Sequence, residues 1–235
     1  MNTLPAGCCE VRWAGELLHL LPERALHWPA GHTLFIADLH LGKAAAYRAL
    51  GQPVPGGTTL ENLSRLSALI AQHGPTHLVF LGDFLHAAAG RTPNLLAALA
   101  GWRAQHAAVA MTLVRGNHDS RAGDPPASLC INVVAEPHLR GPFACCHHPQ
   151  THATHAVLAG HLHPVCRLSG AGRDSLRLPC FVLEARQLVL PAFGEFTGGW
   201  RVTAAEGRCL YPLADGQVWR LPGSDPVFGK SDFSV

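Results

Sequence analysis

Residues Leu34–Leu41, LFIADLHL, decide the fold. Four residues, Leu34–Ala37, read as a buried strand, and the chain then presents Asp38 and His40, two positions apart. Residues i and i+2 of a strand project from the same face. A carboxylate and an imidazole therefore leave the sheet together. The same grammar returns downstream. HLVFL (77–81) runs into Gly82-Asp83-Phe84-Leu85-His86, and AVAMTLV (108–114) into Arg115-Gly116-Asn117-His118-Asp119. FACC (143–146) precedes His147-His148, and HAVLA (155–159) precedes Gly160-His161-Leu162-His163.

Between these runs the periodicity is helical. Leu60, Leu63, Leu66, Leu69 and Ile70 recur at spacings of three and four, predicting a helix over 59–72 capped by Thr58 or Thr59. Thr92-Pro93 opens a second helix, 94–106. Gly42–Gly57 is expected to be a loop or a short helix followed by a loop, and an edge strand is expected near Glu16–Leu20. Strand–helix–strand alternation predicts parallel pairing through right-handed crossovers. After Gly123 short strands follow one another (131–135, 143–146, 156–159, 176–183 and 187–191), and these predict a second, partly antiparallel sheet. GAGRD (170–174) reads as a turn. One domain is expected over the 235 residues, core motifs within 34–164, further strands to about 199 and a tail over 200–235.

Composition narrows the function classes. A hydrophobic fraction of 48% with 14% charged residues suits a folded globular chain. No apolar run reaches the ~18 residues of a membrane span, and the first residues lack the charged-then-apolar pattern of a signal peptide. A cytoplasmic protein with no membrane partner is the expectation. The eight cysteines, at 8, 9, 130, 145, 146, 166, 180 and 209, have neither disulfide-framework nor zinc-site spacing and read as reduced thiols. A net charge of +2 is uninformative about partners. Trp13, Trp28, Trp102 and Trp200 are expected to be packing residues.

In open α/β sheets, sites form beyond the carboxyl ends of strands. Asp38, His40, Asp83, Asn117, His147, His161 and His163 are seven candidate oxygen and nitrogen donors that would meet there. Such a set suits Mn, Fe or Zn, and it is too large for one ion. Two ions sharing a carboxylate would sit ~3.5–4 Å apart and clamp a phosphoryl group. Gly82, Gly116 and Gly160 each precede a candidate donor and would permit a tight turn.

Taken in order, D-x-H, G-D-x-x-H, G-N-H-D, H and G-H-x-H resemble the motif set of the calcineurin-like metallophosphoesterases, over about Thr33–Pro164. ADLHLGKAAAYRALGQPVPGGTT (37–59), LGDFLHA (81–87) and LPAFGEFTGG (190–199) resemble, more narrowly, the PdeM branch, the ligase-associated DNA damage response phosphodiesterases and endonucleases. The resemblance implies a four-layer α-β-β-α sandwich of two mixed sheets flanked by helices. It implies one ion held by Asp38, His40, Asp83 and His163 and another by Asp83, Asn117, His147 and His161, with Mn(2+) as the ion. His148 stands where the broad family has glycine, and the doublet leaves it as an alternative to His147. A metal-bridging hydroxide would attack phosphorus. His118 would approach the scissile phosphate, and Asp119 can orient its ring. Lys43, Arg48 and Arg115 would meet phosphates or remain surface charges. His86 would line the substrate pocket, stand behind the metal ligands, or simply pack. Single-stranded DNA as substrate, and a DNA ligase, a helicase and an exonuclease as repair partners, come from the resemblance alone. Two other readings stand beside it: a phosphoesterase of small nucleotides or sugar phosphates, and a catalytically silent scaffold.

Overall fold

The computed structural model describes residues 6–54, 57–169, 175–195 and 197–221. The segment read as a turn at 170–174 and the tail from 222 lie outside them. Two mixed sheets face each other. The first runs in the order β1 (Cys9–Trp13), β2 (Glu16–Leu21), β3 (Ala25–Trp28), β4 (Thr33–Ile36), β5 (His77–Leu81), β6 (Ala110–Val114), β7 (Ile131–Val134). Its first four strands form an antiparallel meander, and β4 to β7 are parallel. The crossovers carry α2 (Thr58–His73), α3 (Pro93–Gln105) and α4 (Asn117–Ala122), with α1 (Lys43–Ala49) ahead of α2.

Strands β8 (His138–Arg140), β9 (Phe143–Cys145), β10 (Ala156–Ala159), β11 (Val165–Ser169), β12 (Ser175–Glu184), β13 (Gln187–Val189), β14 (Arg208–Ala214) and β15 (Gln217–Val218) make the second sheet. Its order is β15-β14-β12-β13-β10-β9-β8, and β11 pairs with β12. Strands β9, β10 and β13 are parallel, the remainder antiparallel. Residues 131–135 were expected in this sheet. They belong to the first, because β7 completes the parallel run beside β6.

Three apolar layers hold the arrangement. Between the sheets, Trp13, Phe35, Val79, Leu81, Phe143, Leu158, Phe181 and Leu190 are buried, and Phe143 meets the rings of Trp13, Trp28 and Phe35. On the far side of the first sheet, Leu63, Leu66 and Leu69 of α2 and Leu95, Leu99 and Trp102 of α3 cover Leu34, Ile36, Leu78 and Phe80. Each fully buried leucine contributes about 1.5–3 kcal/mol relative to exposure. Leu60, expected in this stripe, is 64% exposed. Helix α2 opens on Gly57 without a side-chain cap, so Thr58 is already inside it. Thr92 does cap α3, accepting from Leu95 N at 3.2 Å. Over the second sheet, Cys166, Cys180, Val182, Val189 and Leu210 form the third layer, closed by Leu162, Leu178, Val202 and Leu221. No α-helix among the described residues follows α4, so extended chain covers that face. None is long and apolar enough to cross a membrane. None of the eight cysteines is in a disulfide, and five are buried.

Away from the sheet ends, the rings of His19, His27 and His73 touch, and each has a buried nitrogen without a hydrogen-bond partner. Burial, and then the neighbouring imidazoles, push His27 down to about 4. The unfolded chain therefore takes up this proton first as pH falls from the ordinary histidine range towards 4, and stability is lost across that window. The thermal midpoint of metal-free protein is expected to fall with pH there. His27→Phe should flatten the slope; an unchanged slope would remove His27 as a cause.

Candidate metal centre

Five strand ends converge at one rim. Beyond β4, β5 and β6 of the first sheet stand Asp38 with His40, Asp83, and Asn117. Beyond β9 and β10 of the second stand His147, and His161 with His163. Five of these seven residues turn through the left-handed region: Asp38 (φ 54°), His40 (48°), Asp83 (51°), His161 (68°) and His163 (49°). L-residues enter that region at a cost of about 1–2 kcal/mol each. Backbone bonds hold them in it. His40 N donates to Asp83 O at 2.8 Å, Asp38 N to Gly82 O at 3.3 Å and His161 N to Asp38 Oδ2 at 2.9 Å. Phe193 N and Gly194 N donate to Ala37 O and Asp38 O, so the LPAFGE segment clasps the first motif from the second sheet. Glu195 ties that segment to Arg24 at 3.1 Å and to Arg65 of α2 at 3.3 Å.

The donor atoms fall into two groups. His163 Nε2 lies 3.4 Å from Asp38 Oδ1 and 3.3 Å from His40 Nε2, which is 3.7 Å from Asp83 Oδ2. His147 Nε2 lies 2.9 Å from Asn117 Oδ1, 3.1 Å from His161 Nδ1 and 3.5 Å from Asp83 Oδ1. Bonds of about 2.0–2.2 Å to one ion put neighbouring donors roughly 3–3.5 Å apart. The two groups, at 3.3–3.7 Å and 2.9–3.5 Å, lie close to that spacing, and Asp83 gives one oxygen to each. Asp38 and Asp83 are 0% and 2% exposed, and among the described residues neither has a lysine or arginine within ion-pair distance. Two buried carboxylates ringed by imidazoles, with main-chain N–H groups of His161 and His118 as their other partners, favour a cation between them. The donor chemistry and spacing thus fit divalent metal.

The histidines are set for the same task. A carbonyl only accepts, so His147 Nδ1, 3.0 Å from Leu81 O, carries the ring proton and leaves Nε2 with a lone pair. Burial, then Lys43 and the imidazoles of His163, His118 and His86, hold His40 far below the ordinary range. Burial and the imidazoles of His147 and His148 lower His161, against Asp38 and Asp83. Neutral imidazole is the form that binds metal. His148 points its Nδ1 at Glu136 Oε1, 2.7 Å away, although its ring still lies beside His161. Glu136 also accepts from His147 N and His148 N. Burial pushes the Glu136 carboxyl up, but these bonds outweigh it and hold it below the usual range. Nothing in the sequence singled out Glu136, which directly follows the strand expected at 131–135.

His118 stands beside the first group, its ring edge-on to His40 and stacked on His86. Its expected partner is corrected. His118 Nδ1 meets His86 O at 2.8 Å, whereas Asp119 accepts from Leu85 N at 2.9 Å and Gly116 N at 3.0 Å. Asp119 therefore braces the two loops and does not touch the His118 ring. Burial raises its pKa, against those backbone bonds. His86 does reach the cluster, Nδ1 to Nδ1 of His40 at 3.4 Å, and burial, then Lys43 and His118, lower it to about 4. Lys43 is buried beside it; burial lowers its pKa while Asp83 and Asp38 oppose. The other two expected phosphate contacts are engaged elsewhere. Arg115 is exposed and grips Asp124 with two bonds of 2.8 and 2.6 Å, and Arg48 donates to Val54 O.

The glycines serve close approach more than turning. A Cβ on Gly82 would lie 2.1 Å from His147 Nδ1, on Gly116 2.4 Å from Asp83 Oδ1, and on Gly160 2.7 Å from Asp38 Oδ2. Only Gly82 of the three also has positive φ, 82°. Gly82→Ala is expected to lower the thermal midpoint by about 4–8 °C, from roughly 2 kcal/mol of strain, and to break the His147–Leu81 bond. Metal content measured by mass spectrometry should fall with it. A variant with full metal content and an unchanged midpoint would refute the steric account.

Comparison with known proteins agrees with this geometry. The model of the calcineurin-like phosphoesterase family matches residues 31–157. Among solved structures, nuclease MPE of Pseudomonas putida is 48% identical over 91% of this chain and 100% of its own, with a TM-score of 0.81. Yfce, a phosphoesterase from E. coli, shares 18% identity over 80% of this chain and 97% of its own; its TM-score of 0.43 carries no argument. No curated protein sequence matches the chain. With more than half of its length under the family model and its donors at the rim of a two-sheet sandwich, the chain belongs to the calcineurin-like phosphoesterases.

Proposed function

We propose that this protein is a two-metal phosphodiesterase that cuts single-stranded DNA internally, with Mn(2+) at both positions, and that it acts in DNA repair. The observation that carries the two-metal reading is the division of Asp83, Oδ2 towards His40 and Oδ1 towards His147. Asp38, His40, His163 and Asp83 would hold one ion, and Asp83, Asn117, His147 and His161 the other. His147 is chosen over His148 because its Nε2 faces the donors while His148 is committed to Glu136. When bound, such ions make water acidic enough to act as nucleophile and neutralise the phosphoryl oxygens.

The chain's own groups supply the rest. His118, with Nδ1 fixed on the His86 carbonyl, keeps Nε2 for a proton that passes to the departing oxygen. Stacking on His86 holds the ring plane. Lys43 adds a buried positive charge beside the reacting phosphate. The 48% identity with a nuclease supports nucleic acid over a small nucleotide as substrate.

The test strips the metals and restores Mn, Zn, Fe or Mg singly. Each form is assayed on bis-p-nitrophenyl phosphate, p-nitrophenyl phosphate and single-stranded circular DNA. Cleavage of the diester and the circle with Mn is the expected result. Diester cleavage without cutting of the circle would leave a diesterase and end the endonuclease reading.

A further inference from the structure

Beside His163 runs an exposed surface rich in arginine. Strands β11 and β12 pair with Arg167 directly opposite Arg177, and both are exposed. Like charges facing each other across a strand pair are destabilising. Among the described residues Arg167, Arg177 and Arg201 form no ion pair, although Arg177 donates to Gly199 O at 2.6 Å. Arg201, bridged to β11 at Val165 through its own backbone, brings a third guanidinium. A groove of about 430 Å³ is lined by Val165, Arg167, Ser175, Arg177 and Arg201. A smaller hollow, lined also by the Arg24–Glu195 ion pair, shares Val165 and Arg177 with it and reaches His163. The two make one course from the candidate metal centre to the far arginines.

Trp200 marks the near end. Its N–H donates to Leu162 O at 3.1 Å and its carbonyl accepts from Val165 N at 2.9 Å, which sets it level with His163. Instead of packing, as its sequence context suggested, its side chain stands in a residue that is 67% exposed.

We propose that this course is the path of a single nucleic-acid strand leaving the metal centre, with Arg177, Arg167 and Arg201 on successive phosphates and Trp200 stacked on an unpaired base. The proposal rests on the nuclease reading above. Guanidinium forks match phosphate oxygens in pairs. An indole stacks on any base whose face is open, which a duplex interior does not offer.

Metal-reconstituted wild type, the triple variant Arg167→Ala, Arg177→Ala, Arg201→Ala, and Trp200→Ala are compared over a series of NaCl concentrations. A labelled oligothymidylate and bis-p-nitrophenyl phosphate, which is too short to enter the course, are the two substrates. For the oligonucleotide, KM in the triple variant should rise at least about ten-fold. Its log–log dependence on salt should become shallower by about 2, from roughly 0.7 per phosphate contact. Trp200→Ala should raise KM about five-fold or more, and Trp200→Phe should recover most of that. Unchanged KM and salt slope, an equal loss on both substrates, or competition by polyglutamate as strong as by oligothymidylate would each overturn the path. Wild type that cuts the diester but not the oligonucleotide would overturn the nuclease reading itself, and the path with it.

Discussion

Alanine at Asp83 is expected to empty both metal positions and lower turnover of bis-p-nitrophenyl phosphate by about four orders of magnitude. Each oxygen of this carboxylate faces a different donor group, Oδ2 the His40 side and Oδ1 the His147 side. Metal ions contribute several kcal/mol of charge stabilisation to such transition states, and each decade of rate is about 1.4 kcal/mol. Metal content should fall from two equivalents towards none. The stabilisation that added Mn gives wild type in thermal melts should vanish in the variant, because a ligand stabilises only through sites it can occupy. Asp83 also accepts from His118 N at 2.8 Å, so some loss of order around the third motif is expected as well. A variant retaining two equivalents and wild-type turnover would sink the bridging assignment. Asp38→Ala, by contrast, should spare the ion on the His147 side, which separates a shared ligand from a private one.

His118→Asn is the second large effect, with a different signature. The asparagine can still donate to the His86 carbonyl from near the position of Nδ1, but nothing replaces Nε2. Proton transfer from a positioned imidazole is worth about 10²–10⁴ in rate. Turnover should fall by that amount, while metal content and the melting midpoint stay at wild-type values. The loss should also shrink on diesters with better leaving groups, since an acidic leaving oxygen needs less help from a proton. Full activity would remove His118 from the chemistry. An equal loss across leaving groups would turn it into a group that only positions the phosphate.

These candidate residues were legible in the sequence because they stand where strands stop, and strand ends are local signals. LFIADLHL, HLVFLGD and HAVLAGHLH each state their own strand and their own donor. What failed was non-local. Ile131–Val134 reads like any short strand, and only its partner β6 tells which sheet it joins. Asp119 and His118 are adjacent in sequence, yet they act through partners more than thirty residues away, Leu85 and His86. Gly82, Gly116 and Gly160 look like turn glycines locally; the side chains they make room for come from other motifs. Arg115 lies within the third motif but is captured by Asp124, nine positions on. Glu136 had no local signal at all.

The left-handed backbone at Asp38, His40, Asp83, His161 and His163 has a consequence for how the protein acquires its ions. At Asp38, His40 and Asp83 the conformation is tied by main-chain bonds whose groups are not candidate metal donors, so these bonds can form with or without an ion. The proposed cage is thus assembled when the sheets close. Loading becomes an event of the folded state, unlike a zinc finger, whose folding is the binding. Ions can then leave and be replaced without unfolding, and the occupant at any moment follows the cell's supply and the affinity series of divalent metals. Which ion the protein carries would accordingly record the conditions under which it was last filled.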